Sequence, residues 1–95
     1  MKIARAFAEI IRDEPVVREL WVSENVEEFG RVLWLIVDPI DIDAERELYG
    51  DPVDRLYDRF PKGDFSVMVL NPLQTIGDVH RSLRQDAEQI PLRAD

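Results

Sequence analysis

The stretch Asp38-Pro39-Ile40-Asp41-Ile42-Asp43-Ala44-Glu45 places three aspartates within six residues, and Asp41 and Asp43 form an Asp-x-Asp pair. Carboxylates at that spacing can share a magnesium ion when they lie on a strand, where residues i and i+2 point the same way. Magnesium takes oxygens at about 2.1 Å in octahedral geometry and completes its shell with phosphate and water. Asp38 would add a third ligand, and a nucleoside triphosphate would come with the ion. The neighbouring apolar run ends before Pro39, however, so the pair falls in a loop or in the first turn of a helix. There the same residues do different work. A capping Asp accepts from orphan N–H groups, and acids in the first turn complement the helix dipole. Asp41 or Asp43 as cap, followed by Glu45 and Glu47, supplies both. We carry the cap forward as the first expectation. The alternative is an Mg²⁺ site at Asp38, Asp41 and Asp43.

Few other residues offer chemistry. His80 is the single histidine. Asp78 and Ser82 flank it, but neighbours two apart on a helix do not face each other, so it reads as a surface or packing residue. The four glycines stand singly and form no phosphate loop, and there is no cysteine to serve as nucleophile or thiolate ligand. Arg55 and Arg59, one turn apart among Asp51, Asp54 and Asp58, read as a salt-bridging helix face. Trp21 and Trp34 fall on adjacent expected strands, and core packing is one reading of both. If Leu20 and Val22 face inward, Trp21 faces outward by strand alternation, and an outward indole suits contact with a partner.

Ninety-five residues, 45 % of them apolar and 34 % charged, fit one globular domain spanning 1–95. Twenty acids stand against twelve Lys and Arg, a net charge of −8. That field repels nucleic-acid backbones and anionic lipid and favours a protein partner with a basic surface. No apolar run approaches the ~18 residues of a membrane span. The opening "MKIARAFAEIIRDE" is too charged for a secretory signal. With no disulfide chemistry, the expected location is cytoplasmic.

The elements that would position these residues follow from spacing. Ile3, Phe7, Ile10 and Ile11 recur at helical intervals, giving a helix over 2–13 that Pro15 ends. "VVRELWVSE" (16–24) alternates as a strand, with Val16, Leu20 and Val22 on one face. Residues 25–30 form a hairpin-like connection ending in Gly30. "RVLWLIVD" (31–38) reads as a strand buried on both faces. Helical spacing returns over 43–60 and is interrupted at "YGDP", where Gly50 can close one helix and Asp51 can cap the next. Tyr49 and Tyr57 belong to that helix stripe as core or rim. "FSVMVLNP" (65–72) is a third strand, and Ile76, Val79 and Leu83 suggest a helix over 75–86. "EQIPLR" reads as a final edge strand or, because of Pro91, as no strand at all. The first two strands should pair antiparallel, and the link through the long helix should make a parallel crossover. The expected fold is therefore α/β (α+β): a small mixed sheet of three to four strands with helices packed on it, in the order αββαβα(β). A ferredoxin-like sandwich is the alternative.

The layout resembles the minimal nucleotidyltransferase family. "VVRELWVSE", "RVLWLIVD", "DIDAERELYGDPVDRLYDRF" and "FSVMVLNP" are similar to its first two core strands, the following helix and the third strand, and "LRQDAEQIPLR" resembles its closing segment. The resemblance implies that scaffold, with magnesium and a nucleoside triphosphate as cofactors in intact members. Those members pair with a helical partner in toxin–antitoxin modules. This chain departs from the family's motifs. "SENVE" stands where Gly-Ser should follow the first strand, and Arg31 and Val32 stand where the strand Asp-x-Asp should lie. Asp64 is the one acidic match for the third carboxylate. The resemblance thus implies a degenerate member without catalysis. The resulting expectation is a protein-interaction or regulatory module, homodimeric and antitoxin-like, with Trp21 as a contact residue. The alternative is a magnesium-dependent nucleotidyl or phosphoryl transferase using Asp38, Asp41, Asp43 and Asp64.

Overall fold

A computed structural model describes residues 2–26 and 30–92. Within them the chain forms α1 (Lys2–Ile11), β1 (Val17–Val26), β2 (Gly30–Val37), α2 (Ile42–Tyr49), α3 (Asp51–Arg59) and β3 (Phe65–Leu70). A single 3₁₀ turn (Val79–Ser82) and the short strand β4 (Glu88–Ile90) follow. The sheet order is β3-β2-β1-β4. β1 pairs antiparallel with β2 and with β4, and β2 pairs parallel with β3. The mixed α/β sheet expected from the sequence is therefore present, and its parallel β2–β3 pair sets it apart from an all-antiparallel ferredoxin-like sheet.

Strand alternation divides the sheet into two faces. Leu20 and Val22, Leu33 and Leu35, and Phe65 and Val69 point to the inner face, where Phe7 and Ile11 of α1, Leu48 of α2 and Leu56 of α3 cover them. The outer face carries Trp21, Trp34, Ile36 and Leu70, and Val79 and Leu83 pack there. Strict alternation from Val16 would have turned Arg18 inward. The register shifts between Val17 and Glu19. Val17 takes the inward position, fully buried, and Arg18 is released to solvent. An extra residue in one strand of an antiparallel pair has this effect.

Several boundaries differ from the expected ones. α1 ends at Ile11, two residues early, with a turn closed by Glu14 N–H donating to Ile11 O at 2.9 Å. The interrupted helix is two helices, but Gly50 rather than Asp51 stands at the junction, and Asp51 is the first residue of α3. The 75–86 helix does not form: only Val79–Ser82 turns, as 3₁₀. Gly77 there has φ +80°, a left-handed conformation that interrupts a right-handed helix. Ile76, assigned inward by its spacing, is fully exposed. β4 stops at Ile90, before Pro91, which cannot donate to a ladder. Part of the 25–30 connection lies outside the described residues.

Two devices hold the sheet's parallel edge. Asn71, 1 % exposed, follows β3 directly. Its Oδ1 accepts from Ile40 N–H (3.2 Å) and Leu73 N–H (3.2 Å), and its Nδ2 donates to Ile40 O (2.7 Å). It thus fastens the end of β3 to the loop after β2. Along the free edge of β3, Val69 N–H donates to the Tyr49 hydroxyl at 2.8 Å, and the Tyr57 hydroxyl donates to Phe65 O at 3.2 Å. The Tyr57 ring also stacks on Phe65, with centroids 4.5 Å apart. Both tyrosines are partly exposed rim residues whose hydroxyls satisfy edge groups that would otherwise invite strand addition. Replacing Asn71 by Ala orphans both backbone groups of Ile40 and should cost about 2–4 kcal/mol in urea denaturation. Tyr49→Phe should cost about 1 kcal/mol by the same measurement.

Candidate functional site

Asp41 is the N-cap of α2. Its side chain accepts from Ala44 N–H at 2.8 Å, and its backbone carbonyl accepts from Glu45 N–H at 3.0 Å. Asp43 lies in the first turn, exposed, 3.9 Å from Arg46. Asp38 is engaged elsewhere: Arg18 Nε and Nη2 donate to its two oxygens at 2.7 and 2.8 Å. Such a two-pronged pair is the strong form of the interaction. The Arg18 hydrogen bonds hold the Asp38 carboxyl below its ordinary range, and the same contact pushes Arg18 up. The register shift at Arg18 makes the pair, because it turns the guanidinium out toward the end of β2.

Asp64 does not join these acids. It precedes β3, where Phe65 pairs with Arg31 at the beginning of β2. A Cβ on Gly30 would stand 2.5 Å from Asp64 Oδ2. That glycine is also in the left-handed region, φ +66°, so the close approach and the backbone both select Gly. Asp38 follows the other end of β2, and eight residues at ~3.3 Å each separate the two by about 25 Å. The parallel pairing puts the acids at opposite ends of one strand, so the sequence's four-acid transferase arrangement is not assembled. Among the described residues no group of three acids or histidines is placed to hold a metal ion. A cleft of about 590 Å³ lies between the α1–β1 turn and the α2–α3 junction. It is lined by Pro15, Val16, Leu48 and Pro52 with Glu14, Glu47 and Asp51, and by none of the Asp38–Asp43 acids.

The concentrated polar chemistry is on the outer face, around His80. Asp78 caps the 3₁₀ turn and accepts from His80 N–H at 2.9 Å. The same oxygen lies 3.0 Å from His80 Nδ1. On the other side of the ring, Nε2 is 3.0 Å from Glu19 Oε2 and 3.2 Å from Oε1. Glu19 Oε1 also accepts from the Trp21 indole N–H at 2.9 Å, and the Trp21 and His80 rings meet edge to face at 6.3 Å. The expectation that Asp78 and His80 face apart assumed an α-helix; in a capped 3₁₀ turn they face each other. Asp78 is held below the ordinary carboxylate range, first by the His80 backbone N–H and then by its ring. His80 is pushed up, first by Asp78 and then by Glu19. Glu19 sits 61 positions away, and no local spacing announces that contact.

Trp21 does face outward, partly buried, as alternation requires. It pairs directly with Trp34, Trp34 with Met68, and Trp21 with Gln89, so one row crosses all four strands. The Trp34 indole N–H donates to the buried Ser23 hydroxyl at 2.9 Å. Both indole N–H groups are thus engaged within the outer face, and the exposed parts of the rings are carbon. Met68 is 45 % exposed in the same row.

No protein-family model, curated protein or solved structure matches the chain. The placement of Asp41 generates a direct test. Asp41→Ala should cost about 1 kcal/mol of stability, while Asp41→Asn, an equivalent cap, should cost no more than a few tenths. Urea denaturation with and without millimolar magnesium reads this. A magnesium-dependent stabilisation lost in both variants would instead restore the ion site.

Proposed function

We propose that this chain is a protein-interaction module without catalysis of its own, and that its contact surface is the outer sheet face. The observation that carries the reading is the row Gln89–Trp21–Trp34–Met68, which the three α-helices leave uncovered and which Val79 and Leu83 cover only at the indoles. Met68 is well exposed, and Leu73 and Ile76 add exposed apolar side chains on the segment that leaves β3. Aromatic residues and Met are the types enriched where proteins meet, and Met adapts its shape to a partner.

Charge selects the occupant. With a net −8 on the chain, the favoured partner is a protein whose apolar contact is rimmed by Lys and Arg. A second copy of this chain, the homodimer expected from the sequence, brings like charge to the same contact. The two occupants respond oppositely to salt. Binding to a basic partner weakens as salt rises, whereas self-association strengthens as repulsion is screened. A regulatory, antitoxin-like role on a nucleotidyltransferase-like scaffold would use the same face.

The test places a photo-crosslinking residue at position 68, at 76, or at the control Asp58 on the helical side. Adducts to a basic-surfaced protein from 68 and 76 but not from 58 are expected. Met68→Asp should weaken that association at least about tenfold, or about 1.4 kcal/mol. An adduct of twice the chain's mass, with sedimentation showing more dimer at high salt, would assign the face to self-association. No adduct at either position would overturn the reading.

A further inference from the structure

The contacts of His80 have a consequence that follows from hydrogen-bond inventory. Both ring nitrogens face carboxylate oxygens, Nδ1 toward Asp78 and Nε2 toward Glu19, each at 3.0 Å. An ionised carboxylate only accepts, and a neutral imidazole has one N–H and one lone pair. A neutral ring would therefore turn a lone pair onto one of the two acids. Only the imidazolium, with two N–H groups, satisfies the arrangement. The bridge joins two distant parts of the chain, since Glu19 is on β1 and Asp78 caps the turn in the segment after β3.

That segment is placed by topology. β3 lies at one edge of the sheet and β4 at the other, so residues 71–87 must pass from edge to edge. They do so over the outer face, where Val79 and Leu83 pack with Trp21, Trp34, Ile36 and Leu70. Beside this small cluster, the His80 bridge to Glu19 and the edge contact with Trp21 tie the turn to β1. We propose that His80, as imidazolium, is a proton-controlled clasp that holds the 71–87 crossover on the outer face, and that loss of its proton loosens the crossover and uncovers Trp21.

The charged groups around the ring fix the direction. Glu19 faces it from β1 and Asp78 from the turn, while Arg81 acts on Asp78. A raised histidine contributes stability fully below its ordinary value of 6.5 and loses it as pH rises through the raised value. Asp78 is depressed, so its contribution is present above its ordinary 3.8 and is lost as pH falls through the lowered value. The clasp to β1 therefore opens on the alkaline side, as pH rises through the raised His80 value. The ring is partly exposed, its side chain 46 % accessible, so screening keeps the effect local rather than global. The proposal concerns the face used in the interaction reading but rests on the isolated chain, so a missing partner does not bear on it.

An NMR titration of the labelled chain alone tests it. At pH 6 both His80 ring nitrogens should be protonated, with a midpoint above 6.5. The Trp21 indole N–H shift should follow the same midpoint, and nuclear Overhauser contacts from the Val79 and Leu83 methyls to the indoles should weaken above it. The Asn71 side-chain amide, fixed at the other end of the segment, should not move. Glu19→Gln should lower the midpoint and uncouple Trp21 from it. The wild-type titration decides the matter even where the variant folds poorly. A His80 midpoint at its ordinary value, a Trp21 signal indifferent to it, or methyl contacts unchanged above it would each overturn the clasp.

Discussion

Everything in this chain depends on pairing β2 along both sides. Its run Val32 to Val37 buries Val32, Leu33, Leu35, Ile36 and Val37, and a buried backbone must have its N–H and C=O groups satisfied. β1, its neighbour in sequence, serves one side as an antiparallel partner. The other side is served by a parallel strand, which no tight turn can deliver. The chain must therefore cross over, and α2 and α3 are that crossover. With α1 they cover the inner face and bury Leu48, Leu56, Phe7 and Ile11 against it. With the free edge of β3 occupied by Tyr49 and Tyr57, the last strand joins the far side of β1, and residues 71–87 cross the opposite face.

The two faces consequently differ in kind. Helices seal the inner face with large apolar side chains. One irregular segment, resting on Val79 and Leu83, covers the outer face in part. Where the inner side relies on nonpolar contact, the outer side relies on directed contacts: Trp34 to Ser23, Trp21 to Glu19, and His80 between Glu19 and Asp78. Directed polar contacts are more sensitive to protonation than apolar packing, so the less covered face is also the pH-responsive one. The edges are managed separately. Tyr49 and Tyr57 occupy backbone groups of β3, and β4 is only three residues long, so strand addition has little to build on at either edge.

Much of the fold was legible because the relevant signals are local. An unbroken apolar run marked β2, alternation marked β1 and turned Trp21 outward, and Asp41 with acids behind it marked the start of α2. Two places show where local signals stop. Ile76, Val79 and Leu83 have helical spacing, yet Gly77 adopts φ +80° and Asp78 caps a later turn. The periodicity was there without the backbone to use it. Arg18, at an inward position by simple counting, is moved outward by a register shift that only the partner strand can impose.

By itself the sequence determined most of the element types, the mixed sheet, a helix start capped at Asp41 or Asp43 and the acidic charge. Each follows from residues within a few positions of one another, or from composition. Tertiary structure alone decided which distant groups meet. Parallel pairing of β2 and β3 put Asp64 at the opposite end of the strand from Asp38, which took the four acids apart. The crossing of residues 71–87 brought His80 to Glu19, which made a bridge from residues that a linear reading treats as unrelated. Spacing along a chain fixes direction within one element. Proximity between elements depends on which strands pair and in which sense, and that is set by the packing of the whole core.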